Sequence, residues 1–129
     1  MPKNLVLLAG FLSLAMGGCA MAQGAAPATV ATTAKGPAFV DAKGMSLYTF
    51  DKDSAGKSVC NGPCQGNWPA MMATASATAS GGWSVITRDD GSKQWAYKDK
   101  PLYTFAKDTM PADSKGDGFL NGAWHLAKP

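Results

Sequence analysis

Leu47-Tyr48-Thr49-Phe50-Asp51-Lys52-Asp53-Ser54 returns as Leu102-Tyr103-Thr104-Phe105-Ala106-Lys107-Asp108-Thr109, with six of the eight positions identical. Tyr103 follows Tyr48 by 103 − 48 = 55 residues, and Trp124 follows Trp68 by 124 − 68 = 56. A shared offset at two separate landmarks points to duplication of a whole supersecondary unit. Within the first octet Tyr48 and Phe50 fall on one face of a strand, and Leu47 and Thr49 on the other. Each octet then runs out into a polar loop rich in Asp, Gly and Ser.

Working outward, the flanks supply the remaining strands. Ala38 to Asp41 and Met45 to Phe50 are short β-favouring runs separated by Ala42-Lys43-Gly44, the spacing of a hairpin. Trp83 to Arg88 and Lys93 to Tyr97 flank Asp89-Asp90-Gly91-Ser92, a stronger hairpin signal, and the second octet extends this pair to a meander. Ala123 to Ala127 closes the chain as a short strand, in which alternation turns Trp124 and Leu126 inward and His125 outward. All nine acidic residues are Asp, so the strong helix former Glu is absent while turn formers abound. The fold expected is all-β: one small domain of two pseudo-symmetric hairpin or meander repeats with at most short helical turns. Repeat one covers about 36–82 and repeat two about 83–127, within a single domain at 36–129.

The first 22 residues read as an export signal, with Lys3 ahead of an apolar run from Leu5 to Met16 that is too short to span a bilayer. Two processing routes stay open. Ala20-Met21-Ala22 fits ordinary signal peptidase, whereas Met16-Gly17-Gly18-Cys19 resembles a lipobox and would leave Cys19 lipidated. The protein is therefore expected in the periplasm or cell envelope, either soluble after cleavage at Ala22 or attached to the membrane through Cys19. Residues 23–35, rich in Ala, Thr and Pro, read as a flexible tether. The formal charge of +3 is weak and dispersed, with no basic run or stripe, and gives no case for nucleic acid.

Tyr48 and Asp53, and again Tyr103 and Asp108, each with an aromatic two positions after the tyrosine, resemble the tandem "secreted repeat of unknown function" of bacterial envelope lipoproteins. Its signature is Tyr-x-aromatic-x-x-Asp. Cys60, Cys64, Trp68-Pro69, Asp90-Gly91 with Gln94-Trp95, Pro101-Leu102-Tyr103 and Trp124-His125 also look like that family, over about Gly36 to Leu126. The resemblance implies export, frequent lipid anchoring and no assigned biochemical role, and it contributes no catalytic residues.

The motif residues Tyr48, Phe50, Asp53, Tyr103, Phe105 and Asp108 admit two readings. A phenol beside a carboxylate is an acid/base pair only if its pKa is strongly shifted. Occurrence in both copies suits packing better, with the tyrosine hydroxyl bonding the following loop and the aspartate ordering that loop through its amides. Cys60 and Cys64, an even pair in an exported chain, are expected to form a disulfide, and their spacing is not that of a redox Cys-x-x-Cys. With Met71 or Met72 and His125 they are weak candidates for a copper site. Asp51-x-Asp53-x-x-Gly56 begins like a calcium loop, but Gly62 stands where a bidentate Glu is required. Met71 and Met72 are alternatively placed to dock on the core. The leading expectation is a non-enzymatic module, without a cofactor, that binds an envelope ligand or protein or serves structurally. An envelope copper or redox protein is the alternative.

Overall fold

The computed structural model describes residues 26–74 and 76–129. The signal segment and Cys19 lie outside them. The clearest local code is the hairpin of β4 (Trp83–Thr87) and β5 (Lys93–Tyr97), paired from Trp83 opposite Tyr97 to Thr87 opposite Lys93. In its connection Gly91 takes φ +89°, and Asp90 Oδ1 accepts the Ser92 amide at 2.9 Å, so the Asp-Gly turn sets the register. β6 (Lys100–Pro101) follows across a two-residue turn and completes the meander, although it contributes only two residues.

Β1 (Thr29–Thr33) and β2 (Gly36–Val40) form a second hairpin, so the tether expected over 23–35 is corrected from Thr29 onward. The Ala/Thr composition reads as linker, but Thr and Val are β formers. Thr33 Oγ1 donates to the Gly36 carbonyl at 2.8 Å and accepts the Lys35 amide at 3.0 Å, closing a tight turn. Ala28, just before the strand, is buried against Leu47, Trp83 and Leu102.

The expected pairing of Ala38–Asp41 with Met45–Phe50 holds only at its base. Val40 bridges Ser46 around Gly44, at φ +83°, and the Leu47 amide reaches the Phe39 carbonyl at 2.9 Å. Beyond that the chain leaves the hairpin. Β3 (Tyr48–Phe50) pairs antiparallel with β7 (Trp124–Leu126) from the far end of the sequence, Tyr48 opposite Leu126 and Phe50 opposite Trp124. The second copy does the same in reverse. Tyr103 bridges Ala70, and the Thr104 and Ala106 amides bond the Pro69 and Asn67 carbonyls at 2.9 Å each. The two tyrosines join the halves directly: Tyr48 N to Tyr103 O is 2.7 Å, and Tyr103 N to Tyr48 O is 3.0 Å. Each motif strand thus pairs with the tryptophan segment of the other repeat, about a pseudo-two-fold axis through the Tyr48–Tyr103 bridge.

The helical turn at the cysteines is α1 (Pro63–Asn67). Its counterpart α2 (Phe119–Gly122) is interrupted by left-handed residues at Leu120 and Asn121.

Exchange of strands brings four rings into one column across the axis. Phe50 stacks on Trp124 at 4.1 Å, Trp124 on Trp68 at 3.8 Å, and Trp68 on Phe105 at 4.2 Å. Tyr48 meets Trp68 edge-on, and Tyr103 meets Trp124 in the same way. A second cluster, with Phe39, Leu47, Trp83 and Leu102, fills the space under the hairpins. Trp124 keeps 1% of its surface exposed, so truncation to Ala empties the middle of the column. We predict a loss of about 3–5 kcal/mol for Trp124→Ala in urea unfolding. A loss below about 1 kcal/mol would contradict the column as the centre of the fold.

Candidate functional site

The tyrosine and aspartate of one motif do not meet each other. Tyr48 Oη donates to Asp108 Oδ2 at 2.6 Å, and Tyr103 Oη donates to Asp53 Oδ2 at 2.6 Å, so each pair is formed between repeats. Each aspartate also accepts an amide from its own loop: Val59 N to Asp53 Oδ1 is 2.7 Å, and Lys115 N to Asp108 Oδ1 is 3.0 Å. The expected bond from each tyrosine to the loop after its own strand is therefore corrected. Strand exchange carries each ring to the opposite loop. The two motifs form two separate packed corners and share no open cleft.

Both hydroxyls sit in surroundings that keep them neutral. Burial, and then the hydrogen-bonded carboxylate, push the Tyr48 and Tyr103 phenols far above their ordinary value of 10.0. A phenol so disposed is a hydrogen-bond donor at neutral pH and a poor base. Asp53 is itself raised above the usual carboxylate value by burial, against the lowering pull of Tyr103, Val59 N and Arg88. In the other corner the Gly116 amide donates to Tyr48 Oη at 3.2 Å. A Cβ at Gly116 would stand 2.7 Å from Trp68 Cη2, so only glycine lets the loop come this close.

Arg88 was not singled out among the sequence motifs, yet it is buried to 3% exposure behind the Tyr103 corner. Nη1 donates to Ser58 Oγ at 2.9 Å and Gln94 Oε1 at 2.7 Å, and Nη2 donates to the Cys60 carbonyl at 2.6 Å. Ser58 Oγ in turn lies 2.5 Å from Tyr103 Oη. The signal was available: Arg88 is the single arginine in a chain whose other basic residues are lysines. A planar fork of donors is what such a buried junction needs, and an ammonium does not supply it.

The cysteines are joined as Cys60–Cys64, with Cys60 fully buried, and the bridge closes the turn that Arg88 holds from below. The sulfurs are thus not thiolate ligands. Met71 packs against the second core cluster, Met72 is 54% exposed beside it, and both line a cavity that does not include His125. The residues of the copper reading are therefore not brought together. Among the described residues no three His, Cys, Asp or Glu side chains cluster as metal ligands. Asp51 and Asp53 also diverge, the first to His125 and the second to Tyr103, which breaks the resemblance to a calcium loop.

What remains open is a groove along β3, β7 and the β5–β6 turn. His125 faces outward as its alternation implies, and its Nε2 lies 2.8 Å from Asp51 Oδ2. Two adjoining cavities of about 280 and 370 Å³ share Thr49, Asp51, Lys98 and Lys100; the larger also has His125 and Lys128 in its wall. The pseudo-two-fold axis repeats this groove on the other side as a cavity of about 360 Å³, where Thr104 stands for Thr49, Lys43 for Lys98 and Met72 for Lys128. The positions equivalent to Asp51 and His125 are Ala106 and Pro69. One scaffold has built two grooves and lined them with different chemistry.

A family model described as a secreted repeat of unknown function matches residues 29–72 and again residues 84–128. The chain belongs to that family. Neither the curated proteins nor the solved structures supply a match. As a secreted repeat it is an exported protein, of a family without an assigned activity. The first match begins at Thr29, the start of β1, so the secreted-repeat unit includes the hairpin that composition disguises.

The raised Asp53 carboxyl carries a testable sign. Because its folded pKa lies above the unfolded one, the folded state holds the proton more tightly, and stability from this group falls as pH rises through that window. Wild type should therefore lose stability relative to Asp53→Asn on going from acid toward neutral pH, read from paired urea titrations. A difference that is flat, or that grows with pH, would refute the assignment. Tyr103→Phe, which strips a buried bond from Asp53 and Ser58, should cost about 1–3 kcal/mol at pH 7.

Proposed function

We propose that the protein is a non-enzymatic binding module of the cell envelope and that its ligand or partner enters the groove lined by Thr49, Asp51, Lys98, Lys100, His125 and Lys128. One observation carries this reading. The parts common to both repeats, the tyrosines, motif aspartates, phenylalanines and tryptophans, are consumed in holding the fold, whereas Asp51, His125 and Lys128 occur in one copy only and gather in one groove. Residues that the scaffold does not need are free to serve recognition. The catalytic alternative would have to work through the tyrosine pairs, and their neutral, buried hydroxyls argue against it. The two cavities, of about 280 and 370 Å³, lie at the lower end of the size range of small-ligand sites and set a few charged side chains in a wall that is otherwise largely apolar.

The module works either free in the periplasm after cleavage at Ala22 or held to the membrane by a lipid on Cys19, and intact mass of the mature N-terminus distinguishes the two. The Asp51–His125 pair is exposed on both sides, so His125→Ala should lower stability by less than about 1 kcal/mol. That makes it a clean probe. Thermal unfolding of wild type and His125→Ala should be compared against soluble wall peptides, wall disaccharides, di- and tricarboxylates and phosphate esters. A true ligand at about 100 times its Kd stabilises by about 2.7 kcal/mol, which raises the Tm by several degrees. At least one class should do so in wild type and fail in the variant, while the ligand's own NMR spectrum stays unchanged overnight. Conversion of the compound, or equal shifts in both proteins for every class, would defeat the proposal.

A further inference from the structure

We infer that this groove takes a small polyanion, a phosphate ester or polycarboxylate, held by Lys98, Lys100 and Lys128; the inference rests on the binding reading above. The wall holds three lysines, Lys98, Lys100 and Lys128, and three aspartates, Asp51, Asp53 and Asp99, and the two sets differ in how they are engaged. Asp51 is engaged by His125, and Asp53 by Tyr103 and the Val59 amide. Lys98, Lys100 and Lys128 form no salt bridge among the described residues: Lys98 lies 5.4 Å from the Tyr97 ring centroid, and Lys128 Nζ donates to the Lys35 carbonyl. Two of the three carboxylates are thus engaged, Asp99 lies beside Lys98 on the same turn, and among the described residues none of the three ammonium groups is paired with a carboxylate. Ammonium groups grouped along one concave surface raise the local concentration of anions.

The backbone of the rim supports the assignment independently. Lys98 and Asp99 form the two-residue turn between β5 and β6, with φ +50° and +67°. A hairpin turn with both central residues in the left-handed region favours Asn-Gly, and Lys is a poor occupant of it. A strained residue where an easier one would serve is a pointer to function. Here the strain holds Lys98 on a fixed turn, two residues before Lys100. On the other side of the axis the equivalent turn position, Lys43, is followed by Gly44 at φ +83°, and Met72 replaces Lys128. The strained lysine turn and the third cation belong to one groove only.

The test uses ¹⁵N-labelled mature protein titrated with pyrophosphate and with citrate, with a neutral wall disaccharide and phosphatidylglycerol vesicles as further arms. Saturable shifts at Thr49, Asp51 and His125 are expected with one or both small anions, weakening as salt is raised. Lys100→Gln should lose affinity at least tenfold, and Lys43→Gln in the opposite groove should not. The double variant Lys98→Asn/Asp99→Gly is the second reading: it should raise the Tm by relieving the turn while also weakening anion binding at least tenfold. Equal affinity in Lys100→Gln and wild type overturns the inference. Vesicle binding without any response to either small anion also overturns it, in favour of a membrane surface. Shifts at Asp51 and His125 with the neutral sugar alone overturn the anion class and leave the binding module standing. No response to any of the four probes removes both.

Discussion

Two backbone hydrogen bonds between Tyr48 and Tyr103 decide where everything else in the molecule goes. Once these residues face each other antiparallel, each tyrosine side chain is carried past its own loop and into the loop of the other repeat. The Tyr48–Asp108 and Tyr103–Asp53 bonds then follow, as does the pairing of each motif strand with the tryptophan segment of the other copy. The column Phe50–Trp124–Trp68–Phe105 is the hydrophobic consequence, since the exchange brings two tryptophans face to face on the axis. Neither repeat can bury its own aromatic face alone, which is why the unit occurs as a tandem. The contacts are long-range in sequence, so loop closure must be met before the column rewards it, and comparatively slow folding is the expected consequence.

A scaffold held in this way tolerates asymmetry at its periphery. The elements that must match across the axis are the tyrosines, the motif aspartates, the phenylalanines and the tryptophans, and these do match. Thr49 and Thr104 point away from the column, and the surfaces beside them carry no shared structural duty. One side could therefore acquire Asp51, His125 and Lys128 while the other kept Ala106, Pro69 and Met72. Duplication followed by divergence of an outward face is a physical route from a structural repeat to a single binding groove.

Much of this was legible in the residues. The repeated octet implied duplication and a β-rich fold, the Asp-Gly turn located β4 and β5, and alternation sent His125 outward. Exchange between the halves was not legible, because local patterning is the same whether Tyr48 bonds Asp53 or Asp108. β1 was hidden by its composition, although carrying the 55-residue offset back from β4 places a strand near Thr29. The Asp51–His125 pair joins residues 74 apart in sequence, and nothing local to either announces the other. Arg88 illustrates the converse: its rarity was visible from the start, but a lone arginine at a strand end ordinarily reads as surface.

The two corners solve one problem with different chemistry. In each, the loop after the motif strand must fold back over a buried tyrosine hydroxyl and give that hydroxyl a partner. The loop of repeat one is closed by the Cys60–Cys64 bridge and by Arg88 reaching across from repeat two with four bonds, so the Tyr103 corner is cross-linked by both. The loop of repeat two has neither device. It relies on Gly116 lying against Trp68 and Tyr48, and on a turn in which Leu120 and Asn121 take φ +58° and +57° with Leu120 56% exposed. A bulky residue in the left-handed region opposes folding where the disulfide favours it. The Tyr48 corner is therefore the weaker of the two. Asp117, beside it, accepts the Leu126 amide at 2.9 Å and a contact from Lys35, so opening of that loop would release the edge of β7 that carries His125. The groove is built where the well-anchored corner meets the less anchored one: the β5–β6 turn is bonded to the firm loop through Gly56 N and Asp99 O at 2.9 Å, and β7 lies on the side that can give.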